Sequence, residues 1–291
     1  MIYDIALRLT YRYASPATGG RHVVRLMPVA RPGLQRLIAG HVEIEPHPDG
    51  RTDRTDFFGN ATTDFGFRGA HDGVALQLHA RVDRQAPAPP GPATPLARLA
   101  AEIADVDSLG PQSPVHFTAP SPRAMVDAAM ATYAREVTTP DMTAADVVTA
   151  VGEALHRDMT FSAEATDVGT PAADAFAERQ GVCQDFSHIM IACLRSLGVP
   201  AAYVSGFLRT LPPPGRPRLE GADAMHAWVR AWTGKEGGWI DYDPTNALVP
   251  ATDHVEVAVG RDYGDVAPIK GVLRVTGRQI GSHAVDMVPV D

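Results

Sequence analysis

The sequence predicts an α+β protein: an N-terminal antiparallel β domain of sandwich type, then helices followed by short antiparallel strands. Three observations predict it. Apolar residues alternate in short runs through residues 1–84. A Pro-rich stretch follows at 85–97. Beyond it, apolar stripes at helical spacing lead into a β-hairpin. The chain has 291 residues, 45% hydrophobic and 21% charged. That is enough for a sizeable core and for two domains.

The first strands rest on Ile5, Leu7, Leu9 and Tyr11, then on Val42 and Ile44, both in alternate positions. Phe57, Phe58, Phe65 and Phe67 follow, and Val74, Leu76, Leu78 and Val82 close the set in one phase. Breaks at Pro48-Asp49-Gly50, Phe58-Gly59-Asn60 and Asp72-Gly73 are expected to separate short strands. Residues 85–120 are expected to be a Pro-rich linker, and 121–291 a second domain. There, Ser121-Pro122 is expected to start a helix with Met125, Ala128, Ala129 and Tyr133 on one face. Thr143 is expected to cap another, carrying Val147, Val148, Val151 and Leu155. A short helix covers 172–178, and strands are expected near 201–209, 224–232 and 238–243.

The next helix carries the first candidate for chemistry. Phe186, Ile189, Met190, Cys193, Leu194 and Leu197 form a helical stripe, and Gly198 with Pro200 ends it. Cys183 stands at the start of this helix. Unpaired backbone N–H groups and the helix dipole favour an anion there, hence a thiolate. The same N–H groups can hold the oxyanion of an acyl intermediate. Cys193, flanked by apolar helix, reads as a core residue. His188 lies five residues on, about 140° round the helix, and reads as structural. The two cysteines are about 15 Å apart along the axis, too far for a disulfide.

The hairpin carries the second. Residues 224–232 form one strand, 233–238 a turn, and Trp239 opens the next strand. With a loop of Thr233–Glu236, Trp232 faces Gly237, His226 faces Asp243 and Trp228 faces Asp241. A carboxylate beside His226 fixes its tautomer and stabilises the imidazolium, which in turn supports a thiolate. Parity leaves Asp241 and Asp243 as alternatives for that carboxylate. Trp228, Gln184 and Asp241 are candidate walls of the site. No His-Glu-x-x-His or Cys-x-x-Cys occurs, so neither metal nor cofactor is expected.

At these residues the chain resembles bacterial transglutaminase-like proteins, a group often described as candidate cysteine proteases. The resemblance rests on Gly-Val-Cys-Gln-Asp-Phe at 181–186, His-Ala-Trp at 226–228 and Asp-Pro-Thr-Asn at 243–246. The stretch from Val257 to Tyr263 and the N-terminal β region also look like this group. The resemblance implies a papain-like transglutaminase core, with the cysteine helix packed on an antiparallel sheet. It implies Cys183 as nucleophile, His226 as base and Asp243 as orienter. It also implies acyl transfer on amide bonds of a protein or peptide substrate through a thioester, with amide hydrolysis or a non-catalytic binding role as alternatives.

The formal net charge is −8. With no run of Lys and Arg, nucleic acid is not an expected partner. No apolar run reaches the ~20 residues that span a bilayer, so no membrane partner is expected either. The first ten residues lack a basic region followed by an apolar stretch. Together with two free thiols, this sets the expectation of a cytoplasmic protein. Oligomeric state is not legible in the sequence.

Overall fold

The computed structural model describes residues 1–210, 221 and 223–290. The Pro-rich segment 211–215, which by sequence reads as a rigid rim to the cleft or an ordinary loop, lies outside them. Four strands open the chain: β1 (Ile2–Val24), β2 (Gln35–Glu45), β3 (Gly50–Thr55) and β4 (Ala61–Arg84). Helices α1 (Leu96–Ala104), α2 (Ala128–Glu136) and α3 (Ala144–Asp158) follow. Next come β5 (Thr160–Phe161), α4 (Ala172–Glu178), β6 (Gln180–Gly181) and α5 (Cys183–Ser196). Then β7 (Ala201–Leu208), β8 (Ala224–Trp232), β9 (Trp239–Tyr242) and β10 (His254–Gly260) form a second sheet. The described chain closes with α6 (Tyr263–Val266), β11 (Ile269–Arg274) and β12 (Gln279–Val290).

Most of the alternation in the first region was read correctly, but Phe57 and Phe58 lie in the turn between β3 and β4, where Phe57 is 57% exposed. Ile5, Leu7, Leu9, Val42, Ile44, Phe65, Phe67, Val74, Leu76, Leu78 and Val82 are all buried. The strands are longer than expected, however. β4 runs straight through Asp72-Gly73. Gly73 is there for close approach rather than a turn: a Cβ on it would lie 2.3 Å from the carbonyl oxygen of Tyr11. β1 and β4 pair along most of their length, with register shifts between Arg12 and Ala17 and between Thr18 and Gly20. Such bulges bend long strands. Because β1 and β4 are shared by all their neighbours, the described strands form one hydrogen-bonded six-stranded sheet rather than two separate ones.

The chain also returns to this sheet. β12 pairs with the first half of β1, and β11 with its second half. Residues 269–290 therefore belong to the first sheet and not to the second, against the expected unit at 121–291. Their sequence hides this. Val272 is 81% exposed and Ile280 71%, while in β12 only Val285 and Met287 are buried, so alternation is weak. Nor is 85–120 wholly a linker: α1 lies within it, following Pro95 and burying Leu99.

The expected start of α2 needs correction. Ser121 closes a tight turn with Ala124 instead. Asp127 is the cap, its carboxylate accepting the N–H groups of Ala129 (2.7 Å) and Met130 (3.2 Å). Met125 consequently falls outside the helix and is 57% exposed. Thr143 caps α3 as expected, in a reciprocal box with Asp146. Val147, Val148, Val151 and Leu155 are fully buried.

α5 is the central helix. Helices α2, α3 and α4 pack around it, and its other side lies on β7 and β8. The second sheet is antiparallel in the order β10-β7-β8-β9. β10 is thus an edge strand of this sheet, and an unpaired edge carries free N–H and C=O groups. Two side chains of the first region cover it. The Gln35 amide donates to the carbonyl of Glu256 (2.7 Å) and accepts its N–H (2.8 Å). The Asn60 amide does the same to Val259, at 2.8 Å both ways. Each amide takes the place of a neighbouring strand's peptide group. Asn60→Leu leaves two buried backbone groups of Val259 without partners. It is expected to cost about 2–4 kcal/mol, measured as a lower midpoint in urea with an unchanged slope.

Candidate active site

Cys183 is the first residue of α5, after Val182 in extended conformation. Asp185 secures this turn. Its Oδ2 accepts the Val182 N–H at 2.8 Å and the Thr166 hydroxyl at 2.6 Å. Gly181 is required for closeness, since a Cβ there would lie 2.7 Å from Asp185 Cβ. Cys183 is half-buried and free, and Cys193 is fully buried and free. Burial pushes the Cys193 thiol up to about 12, which leaves it protonated and inert. His188 is structural: its Nε2 accepts the Tyr263 N–H at 3.1 Å, and burial lowers its pKa to about 4.

The hairpin register differs from the expected one. Trp232 faces Trp239 rather than Gly237, and Arg230 faces Asp241. The turn is longer because Thr233 N–H bonds the Gly238 carbonyl at 2.8 Å. Gly234 and Gly238 supply the positive φ angles it needs, 117° and 66°. A slide of two positions keeps parity, so Asp241 still shares a face with Trp228 and Arg230.

That slide decides between the aspartates. Asp241 takes the Arg230 guanidinium on both oxygens (2.6 and 2.8 Å) and the Trp228 indole N–H (3.0 Å). Arg230 also reaches Glu256 at 2.8 Å, and Glu256 takes Arg31 at 2.5 Å. Asp241 and Trp228 therefore belong to a buried ionic chain behind the site. Trp228 is fully buried, so it backs the site rather than lining an open cleft. Gln184 is buried too, with its amide towards the Val168 carbonyl at 3.4 Å.

Asp243 is the partner of His226, at 2.7 Å from Nε2 to Oδ2. Its carboxylate is fully buried and densely held. Oδ1 accepts the N–H groups of Thr245 (2.9 Å) and Asn246 (3.2 Å). Oδ2 accepts the Asn246 amide (2.7 Å) and the ring N–H of His254 (3.2 Å) as well as His226. Burial opposes its charge, yet these donors hold it well below the usual carboxylate range.

Cys183 lies beside the His226 ring, close enough to bear on its charge. Since Nε2 is taken by Asp243, Nδ1 is the nitrogen left for sulfur. Burial disfavours a charged His226, but the bond to Asp243 and the neighbouring Cys183 outweigh it and raise its pKa to about 10. The ring is therefore able to hold the thiol proton, with a carboxylate behind it. Convergence of Cys183, His226 and Asp243 is what the sequence motifs called for. His254, Arg230 and Glu256 were not foreseen. The only signal for His254 was its place immediately before the apolar alternation of β10.

His226, Asp243 and His254 also offer three donor atoms within 4.8 Å of one another. Their nitrogen–oxygen contacts are hydrogen bonds. A metal would have to displace a proton that His226 binds tightly. No helix among the described residues is long and apolar enough to cross a membrane.

Comparison with known proteins adds the following. Residues 3–83 match the model of the bacterial transglutaminase-like N-terminal region. Residues 131–244, from α2 to just past Asp243, match the transglutaminase-like superfamily core. An uncharacterized protein of Mycobacterium tuberculosis is 32% identical over 295 residues, covering 99% of this chain and 93% of its own length. An uncharacterized protein of Mycobacterium leprae is 32% identical over 282 residues, covering 96% and 94%. The fold is similar to the crystal structure of "a Putative Cysteine Protease from Cytophaga hutchinsonii". Its TM-score is 0.76 at 22% identity, covering 100% of this chain and 91% of that one. With both family regions present in order, the chain belongs to the bacterial transglutaminase-like proteins of the transglutaminase-like superfamily.

Proposed function

We propose that this protein is a cysteine-dependent acyl-transfer enzyme acting on amide groups of a protein or peptide. The single observation that carries the reading is the line Cys183, His226, Asp243, with sulfur at the start of a buried helix. The thiolate of Cys183 attacks the amide carbonyl carbon. The carbonyl oxygen takes the negative charge and faces the free N–H groups of the first turn of α5. His226 gives its Nδ1 proton to the leaving nitrogen, the C–N bond breaks, and a thioester remains on Cys183. An amine or water then attacks the thioester. His226 takes a proton from it, the C–S bond breaks, and the Cys183 thiolate is restored beside the imidazolium. Asp243 keeps its charge throughout and holds the ring in place.

A glutamine-containing peptide tests this. Ammonia release is expected from the peptide alone. Incorporation of an added primary amine in place of hydrolysis identifies transamidation, and release without incorporation identifies deamidation. Cleavage of the peptide backbone without ammonia release would replace the proposed reaction with peptidase chemistry at the same thiol. No release and no cleavage over a broad panel of amides would favour a binding role. We place the reaction in a reducing compartment, since the mechanism needs a free thiol.

A further inference from the structure

His254 is a buried histidine whose ring makes one hydrogen bond among the described residues. Its Nε2 lies 3.2 Å from Asp243 Oδ2, and its Nδ1 is buried without a partner. Two imidazoles therefore meet on one carboxylate oxygen, His226 at 2.7 Å and His254 at 3.2 Å. An orphaned buried nitrogen is a cost that needs an explanation. Packing alone does not supply it, because an apolar side chain would fill the place beside Trp228 without that cost.

We propose that His254 is a positioning residue of the active site, donating its Nε2–H to Asp243 so that the carboxylate holds His226 without gripping its proton too tightly. The inference rests on the acyl-transfer reading above. Asp243 must stay anionic to stabilise the imidazolium. It must also let that imidazolium surrender a proton to the leaving nitrogen. Every donor on Oδ2 spreads the charge that would otherwise bear on His226 alone. Thr245, Asn246 and the backbone already fix the orientation of the carboxylate. What His254 adds is a third donor on the oxygen that faces His226.

The surroundings isolate this effect. His226 is faced by Asp243 and by Cys183 from α5. Asp243 is faced by His226, His254 and Asn246, and its charge is also felt by the Tyr242 phenol. The nearby carboxylates Asp241 and Glu256 are bound by Arg230 and Arg31. Asp253 is bound by Tyr3 and Arg209. The backbone of His254 is held from the first region. Its N–H and Arg84 Nε share the Ala251 carbonyl, at 3.4 and 3.2 Å, and Gln35 clasps Glu256 two residues on.

The test is the pH dependence of Cys183 alkylation by iodoacetamide, followed by mass spectrometry in the full-length protein. It needs no substrate. Wild type, His254→Gln and His254→Leu are compared, with circular dichroism to confirm folding. Glutamine keeps an N–H near the position of Nε2, and leucine removes it. In His254→Leu, Asp243 pulls harder on the His226 proton. The alkaline step of the profile, at which the His226 imidazolium loses its proton, is expected to move up by roughly 0.3–1 pH unit, from the size of one net hydrogen bond. In His254→Gln it is expected to stay within about 0.2 unit of wild type. An alkaline step that stays or moves down in His254→Leu overturns the assignment, as does a glutamine variant that behaves like leucine. Folding loss in His254→Leu leaves the glutamine variant to decide, together with His254→Asn, whose shorter amide is expected to lose the bond. If wild-type Cys183 is as slow as Cys193 at every pH, the acyl-transfer reading fails and takes this inference with it. A fast Cys183 that ignores position 254 sinks the inference alone.

Discussion

Cys183→Ala is expected to lower amide turnover by roughly 10⁴-fold or more, measured as ammonia release at saturating glutamine peptide. The sulfur is the atom that forms the thioester, and nothing else at the start of α5 can replace it. What survives is the contribution of the backbone N–H groups and of binding. His226→Ala is expected to cost about as much, because nucleophile and base act as one unit. The contrast is Cys193→Ala. Cys193 is fully buried, and burial keeps its thiol protonated up to about 12. That variant is expected to keep its turnover and lose only some stability. Activity persisting in Cys183→Ala would move the chemistry elsewhere.

Asp243→Asn is expected to lower turnover by about 10²–10⁴-fold. Asparagine has the same shape, but its amide nitrogen is a donor. Every group around Asp243 is a donor as well: His226, His254, Asn246 and two backbone N–H groups. One side of the amide must therefore face unpaired donors, and His226 loses the charge that stabilises its imidazolium. Stability should report the same change. The His226 pKa is raised from 6.5 to about 10, so its contribution is full below about 6.5 and fades as pH climbs towards 10. Asp243 is shifted downwards from 3.8, so its contribution is present above that value and is lost on acidification. In Asp243→Asn both dependences should flatten, as read from denaturation midpoints at pH 3, 6 and 9.5. Asp241→Asn makes the comparison sharp. It breaks a buried pair with Arg230 and should destabilise by about 3 kcal/mol or more, yet leave the pH profile of Cys183 alkylation where it was.

Much of this site was legible before any coordinates. Cys183 sits at a helix start that Phe186, Ile189 and Met190 announce by their spacing. Capping of α3 by Thr143 was equally local, a side chain bonding a backbone group three residues away. Parity placed the His226 strand and the aspartate strand in one hairpin, and it survived a register error of two residues because side-chain direction repeats every two.

The sequence alone determined the residue types and their order: a thiol at the mouth of an apolar helix, an imidazole on a strand, and aspartates on the next. Those follow from periodicity and capping, which act within a few residues. Tertiary structure decided the rest. The length of the glycine turn decided which aspartate meets His226 and which is spent on Arg230. Folding the edge strand against Gln35 and Asn60 brought His254 onto Asp243. The bent strands β1 and β4 drew the last described residues back into the first sheet. In each case the partners lie far apart along the chain and carry no shared spacing, so only the packed molecule brings them together.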